Sequence, residues 1–286
     1  MNALVCGLNT YLGKTILTSL QSENLHVYGI IRDASLLEAR DANPINAKLF
    51  NVDIIRLSSL TFPIPLPQID VSFYFTQIPD LADEIGIQYE LLSLKNFIQL
   101  SKNNNCTRIV YFGRVYDKNN IIYIQQLFEK EGIRYTIVLK DVAIGNGSAF
   151  DRFMQQMMTN KLIFLYKPIE KVILRPVCLS DFIQWVKQVD WQHDFINEYL
   201  EFGAQQAVEI EELMQLYLSK YSSPQKHKII TIPYECLAKL LNRIVSKVSY
   251  DHYADYINTM SKRTLTDNSK WTNLIPFQYS KIETAV

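Results

Sequence analysis

Residues 2–14 read NALVCGLNTYLGK: an apolar run, a glycine, a second glycine six positions on, and the start of a helical pattern. A strand that ends in a tight glycine turn and feeds the N-terminus of a helix can bind a pyrophosphate. Free backbone N–H groups and the helix dipole favour the anion, and glycine lets it approach the chain. Gly7 ends the strand and Gly13 opens the helix, while Thr10 stands where a middle glycine is usual. A threonine there crowds a phosphate, although its hydroxyl can donate to one. A plain strand–turn–helix has the same pattern, so this stretch alone leaves both readings open.

The neighbouring sequence repeats the alternation. Strands are expected at His26–Ile31, Ala47–Val52, Asp70–Phe75, Arg108–Phe112 and Arg134–Leu139, with helices at Gly13–Ser22, Tyr89–Lys102 and Ile122–Glu131. Strands separated by helices predict a parallel sheet covered on both faces. Three prolines in TFPIPLPQ make Thr61–Gln68 an extended connector. The second half is less regular. It predicts helices at Phe150–Met158, Ser180–Val189, Ile210–Lys220, Tyr234–Lys247 and His252–Ser261, and strands near Val172–Val177 and Tyr199–Phe202. No flexible linker separates the halves. The expectation is two closely packed lobes, residues 1–140 and 141–286.

Lysines and arginines number 29 and acids 29, a balance that argues against a broad nucleic-acid footprint but not against a small phosphate ligand. Cys6, Cys106, Cys178 and Cys236 form no CxxC pair, and the four histidines are scattered, so no metal site is expected. Cys6 and Cys178 lie in apolar runs and read as core residues of a protein in a reducing compartment. The chain opens without a signal-peptide pattern and has no apolar run of membrane-spanning length, so a cytoplasmic location is expected.

The second strand ends in GIIRD, with Arg32 just past the last apolar residue. An acid at that place hydrogen-bonds a ribose 2′-hydroxyl, whereas a cation suits a 2′-phosphate. A solvated strand-end arginine is the plain alternative. Asp53, in NVDI, is placed for an adenine-side contact, with a turn or helix cap as the plain alternative.

Taken in order, these segments resemble the atypical and extended short-chain dehydrogenase/reductases. That group includes epimerase/dehydratases, NmrA-like proteins and the complex I accessory-subunit type. VCGLNTYLGK resembles the TGxxGxxG turn, VYGIIRD the second strand, DVSFYFTQ the fourth and TRIVYFG the fifth. IRYTIVLKDVAIGNG, RPVCLSDFIQWV, EYLEFGAQQAVEIEELMQL and the tail from Leu265 continue the match nearly end to end. The resemblance implies an α/β protein: a Rossmann-type doubly wound parallel sheet with a smaller C-terminal α/β substrate lobe. It also implies NADP(H) in preference to NAD(H). The residues it places beside the cofactor are Gly7, Asn9, Thr10, Tyr11, Leu12, Gly13, Arg32, Asp53, Ile54, Phe75, Thr76 and Gln77.

The family's reductases and epimerases use a serine at the end of the fifth strand and a tyrosine with a lysine four residues on. Here that strand ends Phe112-Gly113-Arg114, and VYDKNNIIYIQQLFEKEG holds no YxxxK. Counted back from Gly132, the lysine position falls near Ile121. Tyr116 or Tyr123 with Lys118 is the remaining catalytic candidate, and Gly113, Arg114, Lys140 and Arg175 are expected on the substrate side. Two functions follow from the resemblance. One is an NAD(P)-dependent epimerase/dehydratase or reductase on a sugar nucleotide or small carbonyl. The other is a non-catalytic NADP(H)-binding sensor or accessory subunit that acts through a protein partner.

Overall fold

The computed structural model describes residues 1–8, 11–20, 25–36, 47–56, 64–78, 81–145, 148–158, 160–221, 228–246 and 265–285. The helix expected at His252–Ser261 lies outside them. So do part of the proline-rich connector, Asn146 and Gly147.

The strands of the principal sheet are β1 (Asn2–Cys6), β2 (His26–Ile31), β3 (Lys48–Asn51), β4 (Val71–Phe75), β5 (Arg108–Arg114), β6 (Arg134–Lys140) and β11 (Glu198–Phe202), in the order β11-β6-β5-β4-β1-β2-β3. The pairs β2–β3, β1–β2, β1–β4 and β4–β5 are parallel. All five β4 residues are buried, as a central strand covered on both faces requires. The order reverses between β1 and β4, the switch point at which open α/β sheets take ligands at the carboxyl ends of their strands.

Helix α1 (Tyr11–Leu20) starts two residues earlier than the sequence suggests, so Gly13 is its third residue rather than its opening one. Helix α2 (Glu84–Asn103) is capped by Asp83, whose carboxylate accepts the Gly86 N–H at 2.7 Å. After a 3₁₀ turn at Val115–Asn120, α3 (Ile121–Glu131) ends at Gly132, which takes the left-handed conformation at φ 61°. Phe97, Ile98, Ile109, Tyr111, Ile124, Phe128 and Ile137 are core residues of this unit.

The chain divides into two compact units. The first comprises Met1–Leu139, Ile183–Leu200 and Asn273–Ile275; the second comprises Lys140–Phe182, Glu201–Thr272 and Pro276–Val286. In the second, the strand expected over Val172–Val177 is two short ones, β9 (Ile173–Leu174) and β10 (Val177–Cys178). Pro176 falls between them and has no N–H for a ladder. Strand β9 pairs with β12 (Val208–Glu209), and β10 with β7 (Ala143–Ile144). A further parallel pair, β8 (Leu162–Tyr166) with β13 (Lys228–Ile232), was not read from the sequence. Around these, α4 (Ala149–Met158) and α7 (Ile210–Tyr221) bury Met154, Met157, Leu213 and Tyr217.

Candidate functional site

Gly7 closes β1 with φ 94°, and a Cβ there would lie 2.6 Å from the Phe75 carbonyl oxygen. Glycine is therefore demanded twice at this turn, by the backbone angle and by the approach of β4. Gly13 is buried on α1. Asn9 and Thr10 lie outside the described residues, and Tyr11 and Leu12 are described only as helical backbone. In the β1–β2 register Cys6 faces Ile30. Arg32 therefore stands on the same edge as Gly7, one strand over, with its side chain exposed. Asp53 closes a turn: its carboxylate accepts the Ile55 N–H at 3.2 Å and pairs with Arg56 at 3.4 Å. Ile54 is buried, and its carbonyl accepts the Asn96 amide at 2.8 Å.

The ends of β4 and β5 are joined by a buried polar network. Phe75 stacks on Phe112 with centroids 4.7 Å apart. The Thr76 N–H donates to the Phe112 carbonyl at 2.9 Å, and its hydroxyl lies 2.8 Å from the Tyr111 hydroxyl. Beneath them sits Glu90 of α2, fully buried. One carboxyl oxygen accepts the Gln77 and Ile78 N–H groups at 3.2 Å each, and the other accepts the Tyr111 hydroxyl at 3.2 Å. The Gln77 amide donates to Ser93 at 3.0 Å and to Tyr74 at 3.3 Å. Burial lifts the Glu90 carboxyl to about 7, against the pull of these donors and of Arg114. Burial, with Glu90 adding to it, also holds the Cys6 thiol at about 12 and the Tyr74 and Tyr111 phenols well above their ordinary range. The Cys6 thiol and the two phenols stay protonated, so the network is structural in character, with no activated nucleophile in it.

At the end of β5, a Cβ on Gly113 would meet Leu139 at 2.7 Å. Arg114 donates through Nε to Asp117 at 2.6 Å and through Nη2 to the Ile78 carbonyl at 2.9 Å, and its guanidinium covers the Tyr116 ring at 4.7 Å. It thus ties the β4–α2 loop to the 3₁₀ turn. Lys118 stands over the Tyr199 ring at 5.8 Å. Tyr123 is half exposed on α3, whereas Ile121, where the resemblance calls for lysine, is buried. Gly7, Phe75, Thr76, Gln77, Gly113, Arg114 and Tyr116 are therefore gathered at one sheet edge, with Arg32 and Asp53 farther along it.

Lys140 and Arg175 belong to the second unit. The Lys140 ammonium donates to the Asp141 carbonyl at 3.3 Å, and the Arg175 backbone N–H donates to the Asp141 carboxylate at 3.2 Å. The Arg175 Nε is buried without a hydrogen-bond partner among the described residues. Asp181 of α6 (Leu179–Gln188) accepts the backbone N–H of Ser280 at 2.9 Å and its hydroxyl as well. Among the described residues no group of three His, Cys, Asp or Glu is placed to hold a metal ion, and no helix is long and apolar enough to cross a membrane.

Glu90, Tyr111 and Asp117 were not singled out from the sequence. Glu90 did leave a signal. Ile87, Glu90, Leu94, Phe97 and Ile98 follow the 3–4 spacing of one helix face, which places an acid within an apolar stripe.

This fold is shared by solved epimerases, reductases and oxidoreductases. Triphenylmethane reductase from Citrobacter sp., solved with NADP(H), superposes with a TM-score of 0.74 at 13% identity, covering 100% of this chain and 99% of its own. The NADPH-dependent quinone oxidoreductase of Escherichia coli, solved with NADPH, gives 0.73 at 16%, covering 99% and 98%. UDP-glucose 4-epimerase from Thermotoga maritima, solved with UDP-glucose, gives 0.72 at 11%, covering 100% and 96%. No family model and no curated protein sequence matches the chain.

Proposed function

We propose that the chain binds a nicotinamide dinucleotide along the carboxyl edge of the principal sheet, with NADP(H) favoured over NAD(H). In this reading it works as an NAD(P)-dependent reductase or epimerase/dehydratase-like protein on a small carbonyl or sugar nucleotide. The observation that carries the reading is the pair Gly7 and Arg32: a turn where a side chain cannot fit, and an exposed cation one strand away on the same edge. They suit a pyrophosphate and a 2′-phosphate respectively. The fold neighbours solved with NADP(H) and NADPH support the same ligand class.

The bound nicotinamide would supply or take a hydride. The chain's own part is to hold the nucleotide, with Phe75, Thr76 and Gln77 walling the edge, and to exchange a proton. Tyr116 is the candidate for that exchange, with the Arg114 guanidinium over its ring in the place of the family's lysine. Gly113, packed on Leu139, offers no hydroxyl to a substrate oxygen, and Ile121 is buried. These two observations favour a second reading, an NADP(H)-binding sensor or accessory subunit that acts through a partner.

Titration with NADPH and NADH tests the cofactor. NADPH should bind about 10–100 times more tightly, the worth of one charge-assisted hydrogen bond, and Arg32→Ala should erase the difference. Equal affinities in wild type exclude the NADP preference, and binding of neither nucleotide overturns the proposal. Oxidation of bound NADPH by small carbonyls, lost in Tyr116→Phe, selects the enzyme. A tightly held nucleotide that no carbonyl oxidises selects the sensor.

A further inference from the structure

The opposite edge of the principal sheet, where β4, β5 and β6 begin, holds a cavity of about 330 Å³. Asp70 and Arg108 line it, at the start of the strands that end near Thr76 and at Arg114. It is therefore separate from the dinucleotide edge, by the length of a strand.

Arg108 and Arg134 both line this cavity. Arg108 is 1% exposed, whereas Arg134 is exposed. Arg108 donates to the Trp191 carbonyl at 3.0 Å, the Tyr135 carbonyl at 2.8 Å, the Asp194 carbonyl at 2.7 Å and the Thr136 hydroxyl. All four acceptors are neutral, and among the described residues no carboxylate forms an ion pair with it. Burial, and then the nearby charge of Arg134, draw the guanidinium down to about 10, with Asp194 and Glu198 opposing. It remains a cation at neutral pH. A buried cation beside a second cation, with neutral groups as its hydrogen-bond acceptors, is costly, and an anion between them offsets that cost.

The rest of the lining supplies donors. The Thr107 hydroxyl already accepts an Arg134 N–H at 2.5 Å, and Gln192 and His193 complete one wall. Asp70 is the carboxylate of the lining, and it is engaged: it accepts the Asn2 N–H at 2.7 Å. His193 is paired through Nδ1 with Asp190 at 2.8 Å. Among the described residues the non-glycine positions with positive φ are Asn105 at 60°, Phe195 at 52° and Asn197 at 59°. Asn105 lines the cavity, and the other two follow Gln192 and His193 in one loop. Such angles persist where surrounding bonds over-determine them. Here the Phe195 carbonyl accepts the Thr136 hydroxyl at 2.8 Å, and the Asn197 N–H donates to the Tyr135 carbonyl at 2.6 Å.

We propose that this cavity is a binding site for a compact dianion, of the phosphate-monoester or dicarboxylate class, held between Arg108 and Arg134. The test uses the full chain, with inorganic phosphate in one arm and malonate in the other, at ionic strength held constant with potassium chloride. Calorimetry should show saturable binding with a Kd of about 1 mM or tighter in at least one arm. Amide NMR shifts should centre on Asn105, Thr107, Arg108 and Gln192. Arg134→Ala, at an exposed position, should melt as wild type does and bind about tenfold or more weakly. Binding of phosphate alone assigns the monoester class, and of malonate alone the dicarboxylate class. The proposal is overturned if neither saturates, if the shifts fall at the Gly7–Arg32 edge, or if Arg134→Ala binds like wild type. Because the shifts report position, failure here leaves the dinucleotide reading untouched.

Discussion

Glu90 holds its place through two backbone N–H donors and a phenol, yet burial makes its charge expensive. The sign of its pH effect follows from linkage. Its folded value of about 7 lies above the ordinary 4.5, so between those values the native state binds more protons than the unfolded one. The contribution is fully present at low pH and is lost as pH rises through 7, at most about 3 kcal/mol in all. Glu90→Gln keeps an acceptor for Gln77 and Ile78 and an N–H to meet Tyr111. Urea unfolding of this variant between pH 4.5 and 8 should therefore show a flatter profile than wild type; parallel profiles would mean that Glu90 does not titrate there. Gly7 makes the complementary case. Gly7→Ala puts a methyl against the Phe75 carbonyl and a side chain at φ 94°, and should cost at least about 2 kcal/mol in thermal or urea melts, with or without nucleotide. An undamaged variant would show that the β4 contact is not what requires glycine.

At the scale of elements, what the sequence made legible was what local pattern encodes. Strands β1, β2, β4, β5 and β6 are short apolar runs, and they fall within a residue or two of their expected places. Strands β8 and β13 are also apolar in part, but each exists because of a partner more than sixty residues away, and no local period announces such a pairing. The candidate site divides in the same way. Gly7 and Arg32 stand out by type and position, whereas the partners of Arg114 appear only once the β4–α2 loop and the 3₁₀ turn are in place. The tail segment DNSK gains a physical reason in the structure. Asn268 accepts the Gly203 N–H at 2.9 Å and donates to its carbonyl at 2.7 Å, and Trp271 stacks on Phe202 at 5.1 Å while donating to the Glu201 carbonyl at 2.8 Å. Asn268→Ala leaves two buried backbone groups unpaired and should lower stability by about 2–3 kcal/mol. A loss under 0.5 kcal/mol by urea titration would assign the anchoring to Trp271 alone.

At the scale of the whole molecule, the chain order and the units do not coincide. Ile183–Leu200 returns to the first unit after the chain has entered the second. What it carries is substantial. The Trp191 ring packs edge-on against Phe73 at 6.1 Å and Phe112 at 5.9 Å, and the Trp191 and Asp194 carbonyls satisfy two of the Arg108 donors. The same segment leads into β11, which lies beside β6 in the sheet. A fragment of residues 1–140 keeps every strand from β1 to β6 but loses that cover. Phe73 and Phe112 then face water, and Arg108 loses half its acceptors. Trp191→Ala in the full chain isolates the packing part and should cost about 3–5 kcal/mol. The fragment loses the acceptors as well and should show no cooperative urea transition, weak near-ultraviolet circular dichroism and bound dye at its exposed apolar face. A sharp transition and dispersed amide spectra for residues 1–140 would show that the returning segment decorates a sheet able to stand without it.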